Sequence, residues 1–412
     1  MGPYGRMRAD LGSQVDYDRM RQERRDKAKK AMEEHGLDAV LCLTPENCRY
    51  LTLGPAYPVY RYVLFAKDAE QPVHYEAGMI EPAYRDIPGQ EVKICVGLPA
   101  GLLLTNEVAY DRQVDKLVAQ MKQELNRLGI LNGNIGIDTN NTRLVNALEK
   151  EGIRVTLDGW KAMGEARKTK TKDEIEVMRT ACAMVEAGFQ RAREVIRPGI
   201  TEQQIYAEMV KTMLYAGAEI VAGGHVSSGP HSWPIANTRS DRIIRPGDII
   251  LIDIYELNYL GYKTCYYRNF SCGKPTEAQK EAWAKARDFT WDAFRMMKPG
   301  VTTKEIVEHW PKAEEFGYPD EEAACLCQWA HGIGLTLYEQ PMISRIWSLD
   351  YPEVLEEGMV MSFETLWPTN EKSPDYPNGQ CLRIEEEVAV TSTGVDVLSK
   401  WPVHGIIECE PL

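Results

Sequence analysis

A chain of 412 residues is long enough for two domains, each with its own core. Its 48 Lys and Arg stand against 61 Asp and Glu, a formal charge of −13 spread along the chain. That balance argues against nucleic acid or an anionic membrane as partner, because both reward clustered basic residues.

No run of about 18 apolar residues offers a transmembrane helix, and Met1 to Gln14 lacks the apolar middle of a signal peptide. Ten scattered cysteines have neither the density nor the spacing of a disulfide scaffold, and the Cys325-x-Cys327 pair has no second pair to make a zinc knuckle. A protein of the reducing cytoplasm is therefore expected.

The first part alternates helix and strand. A charged helix from Asp18 to His35 ends at Gly36, a suitable helix C′ residue, and the strand Ala39 to Leu43 follows. An aromatic stretch from Tyr50 to Phe65 holds Tyr57, Tyr60, Arg61 and Tyr62. A helix from Glu107 to Leu128 and a strand from Ile135 to Asp138 continue the α/β pattern. The polar connector Arg167 to Thr171 then leads into a long amphipathic helix, Lys172 to Glu194, which places a domain boundary near 165 and divides the chain into 1–165 and 166–412.

The second half repeats itself. Ile196-Arg-Pro-Gly-Ile-Thr-Glu-Gln-Gln-Ile205 returns 101 residues on (297 − 196) as Met297-Lys-Pro-Gly-Val-Thr-Thr-Lys-Glu-Ile306. Each copy closes one helix at Pro-Gly and opens the next with a Thr followed by Gln204 or Glu305, the spacing of a capping box. Two similar helix-pair-plus-sheet units about a pseudo-two-fold axis are expected.

Chemistry-bearing residues cluster at strand ends. The apolar strand Ile249 to Ile254 carries Asp253, which is costly to bury unless paired or metal-bound, although an edge Asp at a hairpin mouth is the plainer alternative. Tyr255 shares its face, and Cys265 and Tyr267 share a face of the next expected strand, Tyr262 to Phe270. His331 precedes two glycines in His331-Gly-Ile-Gly, and Glu364 ends the strand Met359 to Glu364. In Cys381 to Val390, Arg383, Glu385 and Glu387 face one way and Glu386 the other, and the pattern leaves open which of Glu385 and Glu386 faces inward. Strand-borne carboxylates with a His suit a borderline divalent metal.

The order of these parts resembles the pita-bread fold family of creatinase, prolidase and aminopeptidase P. The resemblance rests on the Lys170 to Ile175 helix opening, Ser228-Gly229, Gly247-Asp248, Gly261-Tyr262 to Arg268, His331-Gly-x-Gly-Leu335, Glu364, and Arg383-Ile-Glu385. It implies an N-terminal creatinase-like α/β domain and a C-terminal pita-bread domain with a mostly antiparallel curved sheet. That family holds two metal ions with two Asp, one His and two Glu, which map here onto Asp253, His331, Glu364 and Glu385. Several positions depart: the second Asp is Cys265, and a usual second His is Tyr338. A further family His falls near Ala236 or Asn237, with His231 a few residues off. The detail is most similar to the dimethylsulfoniopropionate lyase branch, in which Tyr255 would be another metal Asp.

The resemblance implies a homodimeric enzyme on a small polar molecule, with one divalent ion at most (Zn, Fe or Mn) on Asp253, Cys265, His331, Glu364 and Glu385. His331, Glu364, Glu385, Tyr255 and Tyr267 are the expected catalytic groups. Arg61, Tyr60, His231, Trp233, Tyr338 and Trp367 are the expected substrate contacts, with Arg61 gripping a carboxylate across the dimer. Aromatic residues near these segments are read mainly as packing, with a box for an onium or guanidinium group as the sharper possibility. Hydrolysis of a C–N bond in a small polar, cationic or zwitterionic substrate is the expected reaction, followed by a lyase acting on a carboxylate-bearing onium compound or a catalytically silent binder of a ligand or partner.

Overall fold

The computed structural model describes residues 15–54, 61–79, 81–85, 87–97, 106–233, 239–325, 328–401 and 404–409. Tyr60, Ala236 and Asn237 lie outside them. The chain divides into two compact units, Met1–Arg167 and Lys168–Leu412.

The first unit is built on one mixed sheet. Its strands are β1 (Ala39–Cys42), β2 (Tyr62–Ala66), β3 (Val73–Glu76), β4 (Glu91–Ile94), β5 (Asn134–Ile137) and β6 (Arg154–Thr156), in the order β4-β3-β2-β1-β5-β6. Helix Tyr17–Glu34 is capped by Asp16, and helix Glu107–Arg127 by Asn106. The latter lays Val114, Leu117, Val118 and Met121 against Leu41, Leu64 and Ile135 of the sheet.

The second unit carries the sheets that matter for chemistry. Its strands are β7 (Ile220–Val221), β8 (His225–Ser228), β9 (Ile249–Asp253), β10 (Leu257–Tyr259), β11 (Tyr262–Lys263), β12 (Tyr267–Cys272), β13 (Gln328–Gly332), β14 (Glu339–Ile343), β15 (Val360–Pro368), β16 (Cys381–Thr391), β17 (Gly394–Val397) and β18 (Ile407–Cys409). They form a four-stranded sheet β18-β12-β9-β8, a five-stranded sheet β14-β13-β15-β16-β17 and a small sheet β11-β10-β7. The expected strand Tyr262 to Phe270 is broken. Tyr262–Lys263 belongs to the small sheet, and after three irregular residues the chain re-enters the larger sheet at Tyr267.

The internal repeat is structural. Thr201 caps helix Glu202–Tyr215 and Thr302 caps helix Thr303–Val307, each through a reciprocal capping box. Gly199 N bonds Ile244 O and Ile244 N returns to Ile200 O, while Gly300 N bonds Leu355 O and Leu355 N returns to Val301 O. The isolated bridges Thr201–Ile243 and Thr302–Val354 match in the same way. The two halves are joined where β12 meets β16. There Asn269 donates to Arg383 O (2.5 Å) and accepts from Arg383 N (3.0 Å), and Arg268 pairs with Glu386 (2.9 Å).

Candidate active site

Register fixes which side chains share a face. In the four-stranded sheet His225 of β8 and Tyr267 of β12 both stand opposite Asp253 of β9, so the three form one row. In the five-stranded sheet Trp329, Glu364 and Glu385 form a row, and two residues away His331, Ser362 and Glu387 form the next on the same face. The irregular segment between β11 and β12 brings in Cys265. Ser362 Oγ donates to Cys265 O (2.8 Å), and Cys265 N donates to Glu387 (3.4 Å).

The rows converge. One ligand atom each from Cys265, His331 and Glu385 lies within 4.8 Å of the others, and all three residues are buried. Glu364 accepts from Arg383 Nη2 at 2.7 Å, and the Arg383 guanidinium lies over the Tyr267 ring, 4.7 Å from its centroid. Oδ1 of Asp253 and both oxygens of Glu385 meet no hydrogen-bond geometry among the described residues, although the Cys265 thiol lies beside Glu385.

Burial sets the protonation. It pushes Asp253, Glu364 and Glu385 above the usual carboxylate range; the charge of Glu364 adds to the rise at Asp253 and Glu385, and Arg383 opposes it at all three. Burial and the same carboxylates push the Cys265 thiol well up. His331 is driven down to about 4 by burial, so its imidazole is neutral at pH 7. Its Nδ1 lies 3.0 Å from Gly332 O; donation there leaves Nε2 with the lone pair, the tautomer of a metal-binding His. A side chain at Gly332 would drive its Cβ to 2.2 Å from Gln340 O, so this glycine lets β14 close against β13.

Residues 176–392, more than half of the chain, match the sequence model of metallopeptidase family M24. The chain belongs to this family. It is 33% identical over 244 residues to an Xaa-Pro dipeptidase of Pyrococcus furiosus, an alignment covering 57% of this chain and 64% of that enzyme, less than two thirds of its length. It is 25% identical over 411 residues to dimethylsulfoniopropionate lyase DddP of Roseovarius nubinhibens, covering 94% of this chain and 87% of that protein. The solved Xaa-Pro dipeptidase from Bacillus anthracis superposes with a TM-score of 0.73 at 24% identity, over 94% of this chain and 99% of that one, which is a likeness of fold.

The donor set of this M24 chain suits one ion. Three carboxyls, Asp253, Glu364 and Glu385, face one guanidinium, Arg383; with Cys265 ionised as a ligand the surplus is three negative charges (3 + 1 − 1), which one divalent cation and one proton kept on a carboxyl would balance. Cys265, His331 and Glu385 offer one sulfur, one nitrogen and one oxygen. Three protein ligands with an open fourth position is the pattern of catalytic zinc, and the sulfur favours a borderline metal. Glu385 faces this cluster. Glu386 points the other way, onto Arg268 and Ser399.

Other expected site residues divide into those at the cluster and those elsewhere. Tyr338 is 60% exposed with its ring edge-on to His331 at 4.6 Å, and Tyr255 lies 4.9 Å from the His225 ring. Trp367 is a correction. Three residues from Glu364 on one strand, it faces the opposite side, where it packs on Phe289 and Phe316 under Lys285. Trp233 packs with Ala313, Phe316 and Leu366 in the same core. His231 sits 3.3 Å from Glu202, whose carboxylate also accepts from Ser228 and Ser240, so it anchors a loop. Arg61 is 2% exposed and bonded to Glu76 (3.0 Å) and Tyr84 (2.9 Å); a guanidinium buried on a carboxylate is not offered to a ligand. His225, Ser362 and the role of Arg383 were not anticipated, although the i, i+2 spacing of Arg383 and Glu385 already put them on one face.

Proposed function

We propose that this M24 chain is a metal-dependent hydrolase cleaving a C–N bond in a small polar substrate, with Cys265, His331 and Glu385 holding one divalent ion. The convergence of these three buried ligands, with Asp253 and Glu364 in the adjoining positions, carries the reading. A bound divalent ion would polarise a substrate carbonyl and lower the pKa of a water. Zinc or iron fits a thiolate-containing set better than manganese.

The protein's own groups handle the proton. Arg383 and Tyr267 hold the Glu364 carboxyl, which takes a proton from the attacking water and returns it to the leaving nitrogen. The half-open Tyr338 hydroxyl, beside the His331 ring, donates to the developing oxyanion. Tyr267, stacked by Arg383 and opposite Asp253, keeps that carboxyl oriented. A homodimer in a reducing compartment completes the reading, and sedimentation analysis checks the dimer.

A lyase is the second reading, favoured by the near-full-length alignment with DddP. In it, Glu364 would remove a proton from the carbon next to a substrate carboxylate. Metal analysis of purified protein, then turnover of Xaa-Pro dipeptides and dimethylsulfoniopropionate in ¹⁸O-labelled water, separates the two. Hydrolysis puts label into the product carboxylate and elimination does not. Absence of bound metal, or a Glu364→Gln variant with undiminished turnover, defeats the proposal.

A further inference from the structure

Many arginines of the second unit end on carboxylates, among them Arg242 on Asp248, Arg268 on Glu386 and Arg383 on Glu364. Arg239 does not. Its Nη1 donates to Gly224 O at 2.8 Å, its Nε is buried without a hydrogen-bond partner among the described residues, and its guanidinium carbon lies 3.8 Å from the centroid of the Tyr206 ring. An arginine stacked flat on a tyrosine has lost much of its rotational freedom and still has unused donors. That is a preorganised receptor for a planar anion.

Its position ties it to the catalytic row. Gly224 precedes His225, which stands opposite Asp253. A Cβ at Gly224 would sit 2.5 Å from the Tyr206 ring and 3.1 Å from Asp253 O, and one at Gly223 would sit 2.0 Å from the Tyr255 ring. The two glycines therefore let Tyr206 and Tyr255 close in at the start of β8. The Tyr255 ring in turn lies 4.9 Å from that of His225.

We propose that Arg239, held on the Tyr206 ring and flanked by Tyr255 and His225, is the receptor for a carboxylate group of the substrate. The inference rests on the hydrolase-or-lyase reading and narrows its substrate to anionic or zwitterionic molecules. One guanidinium flanked by a phenol and an imidazole matches a planar monoanion, whereas a phosphate dianion calls for a denser set of donors.

The test is calorimetric and needs no turnover. Metal-loaded wild type, Arg239→Met and Arg239→Lys are titrated with three carboxylates and their amides: L-proline and prolinamide, glycine betaine and its amide, dimethylsulfoniopropionate and its amide. Inorganic phosphate is the control anion. At least one carboxylate is expected to bind wild type ten- to a hundredfold more tightly than its amide. Arg239→Met should abolish that preference and Arg239→Lys should keep part of it, with unchanged thermal unfolding showing that the variants are folded. The inference is overturned if wild type shows no carboxylate preference in any pair, if the preference survives in Arg239→Met, or if phosphate alone binds. None of these results touches the hydrolase reading, which stands or falls on bound metal and on Glu364→Gln.

Discussion

Replacing Arg383 with Met removes the guanidinium that offsets three buried carboxyls. Arg383 is 1% exposed in its side chain and the paired Glu364 10%, at 2.7 Å, so solvent screens the pair little. Stranding one member of such a pair costs ~3–5 kcal/mol. For a unit of this size, with ~2–4 °C per kcal/mol, the unfolding transition should fall by ~6–20 °C. The loss should depend on pH in a fixed direction. Burial already raises the Glu364 pKa and Arg383 pulls it down, so the variant raises it further. A carboxyl whose pKa is raised by folding binds its proton more tightly in the native state. Its penalty is absent below the unfolded value of ~4.3, grows as pH rises, and levels off above the folded value, at about 1.4 kcal/mol for each tenfold loss of acid strength on folding. In protein freed of metal with a chelator, scanning calorimetry and urea titration should show a small deficit near pH 5 and a much larger one at pH 8. A deficit equal at both pH values, or one below ~1 kcal/mol throughout, would refute the assignment of Arg383 as the counter-charge of the cluster.

Four further outcomes follow from the same geometry. Cys265→Ser and Glu385→Gln should each weaken metal binding by at least the ~10–100-fold seen for groups that merely support a ligand, read as metal per chain after dialysis; stoichiometry equal to wild type would contradict the ligand set. Glu386→Gln, by contrast, should leave metal content unchanged and lower stability, because Glu386 answers Arg268 on the far face of β16. Trp367→Ala should cost ~3–5 kcal/mol of stability while KM for any substrate found stays within about twofold, a shift of ~0.4 kcal/mol; a large KM change would return Trp367 to the site. Arg61→Met should destabilise the N-terminal unit by ~3–5 kcal/mol through the stranded Glu76, without altering the carboxylate preference measured for Arg239.

Much of the site was legible because strands alternate with a period of two. Arg383 and Glu385 must share a face, Glu386 must take the other, and Glu364 and Trp367, an odd number of positions apart, cannot meet the same ligand. Parity alone, without coordinates, would have removed Trp367 from the candidates. Pairing between distant strands was not available. Nothing local says that His225 stands opposite Asp253, or that Asn269 and Arg268 join β12 to β16, because register there is set by packing between elements far apart in the chain. Arg61 shows the complementary limit. An arginine among tyrosines looks the same in sequence whether its guanidinium awaits a ligand or is already satisfied, and here Glu76 arrives from the neighbouring strand β3.

Cys265 shows why the departures from the family pattern carry chemical weight. On a regular strand from Tyr262 to Phe270 its side chain would follow strict alternation with Tyr267. Instead the chain leaves the small sheet after Lys263, and Thr264 to Tyr266 are pinned one by one, by Ile254 O, by Ser362 and Glu387, and by Cys182 O. Three consecutive anchors on an irregular segment hold the thiol at Glu385 and His331, with little room to turn away. A thiol there in place of a carboxyl offers a softer donor that must lose its proton to bind a metal. With the Cys265 thiolate, Asp253, Glu364 and Glu385 set against Arg383, three negative charges remain (4 − 1), which one divalent cation and one proton kept on a carboxyl would balance, whereas a second cation would leave the buried cluster positive. The electrostatics therefore argue for a single ion on the Cys265 side, with Asp253 and Glu364 left to orient substrate and move protons.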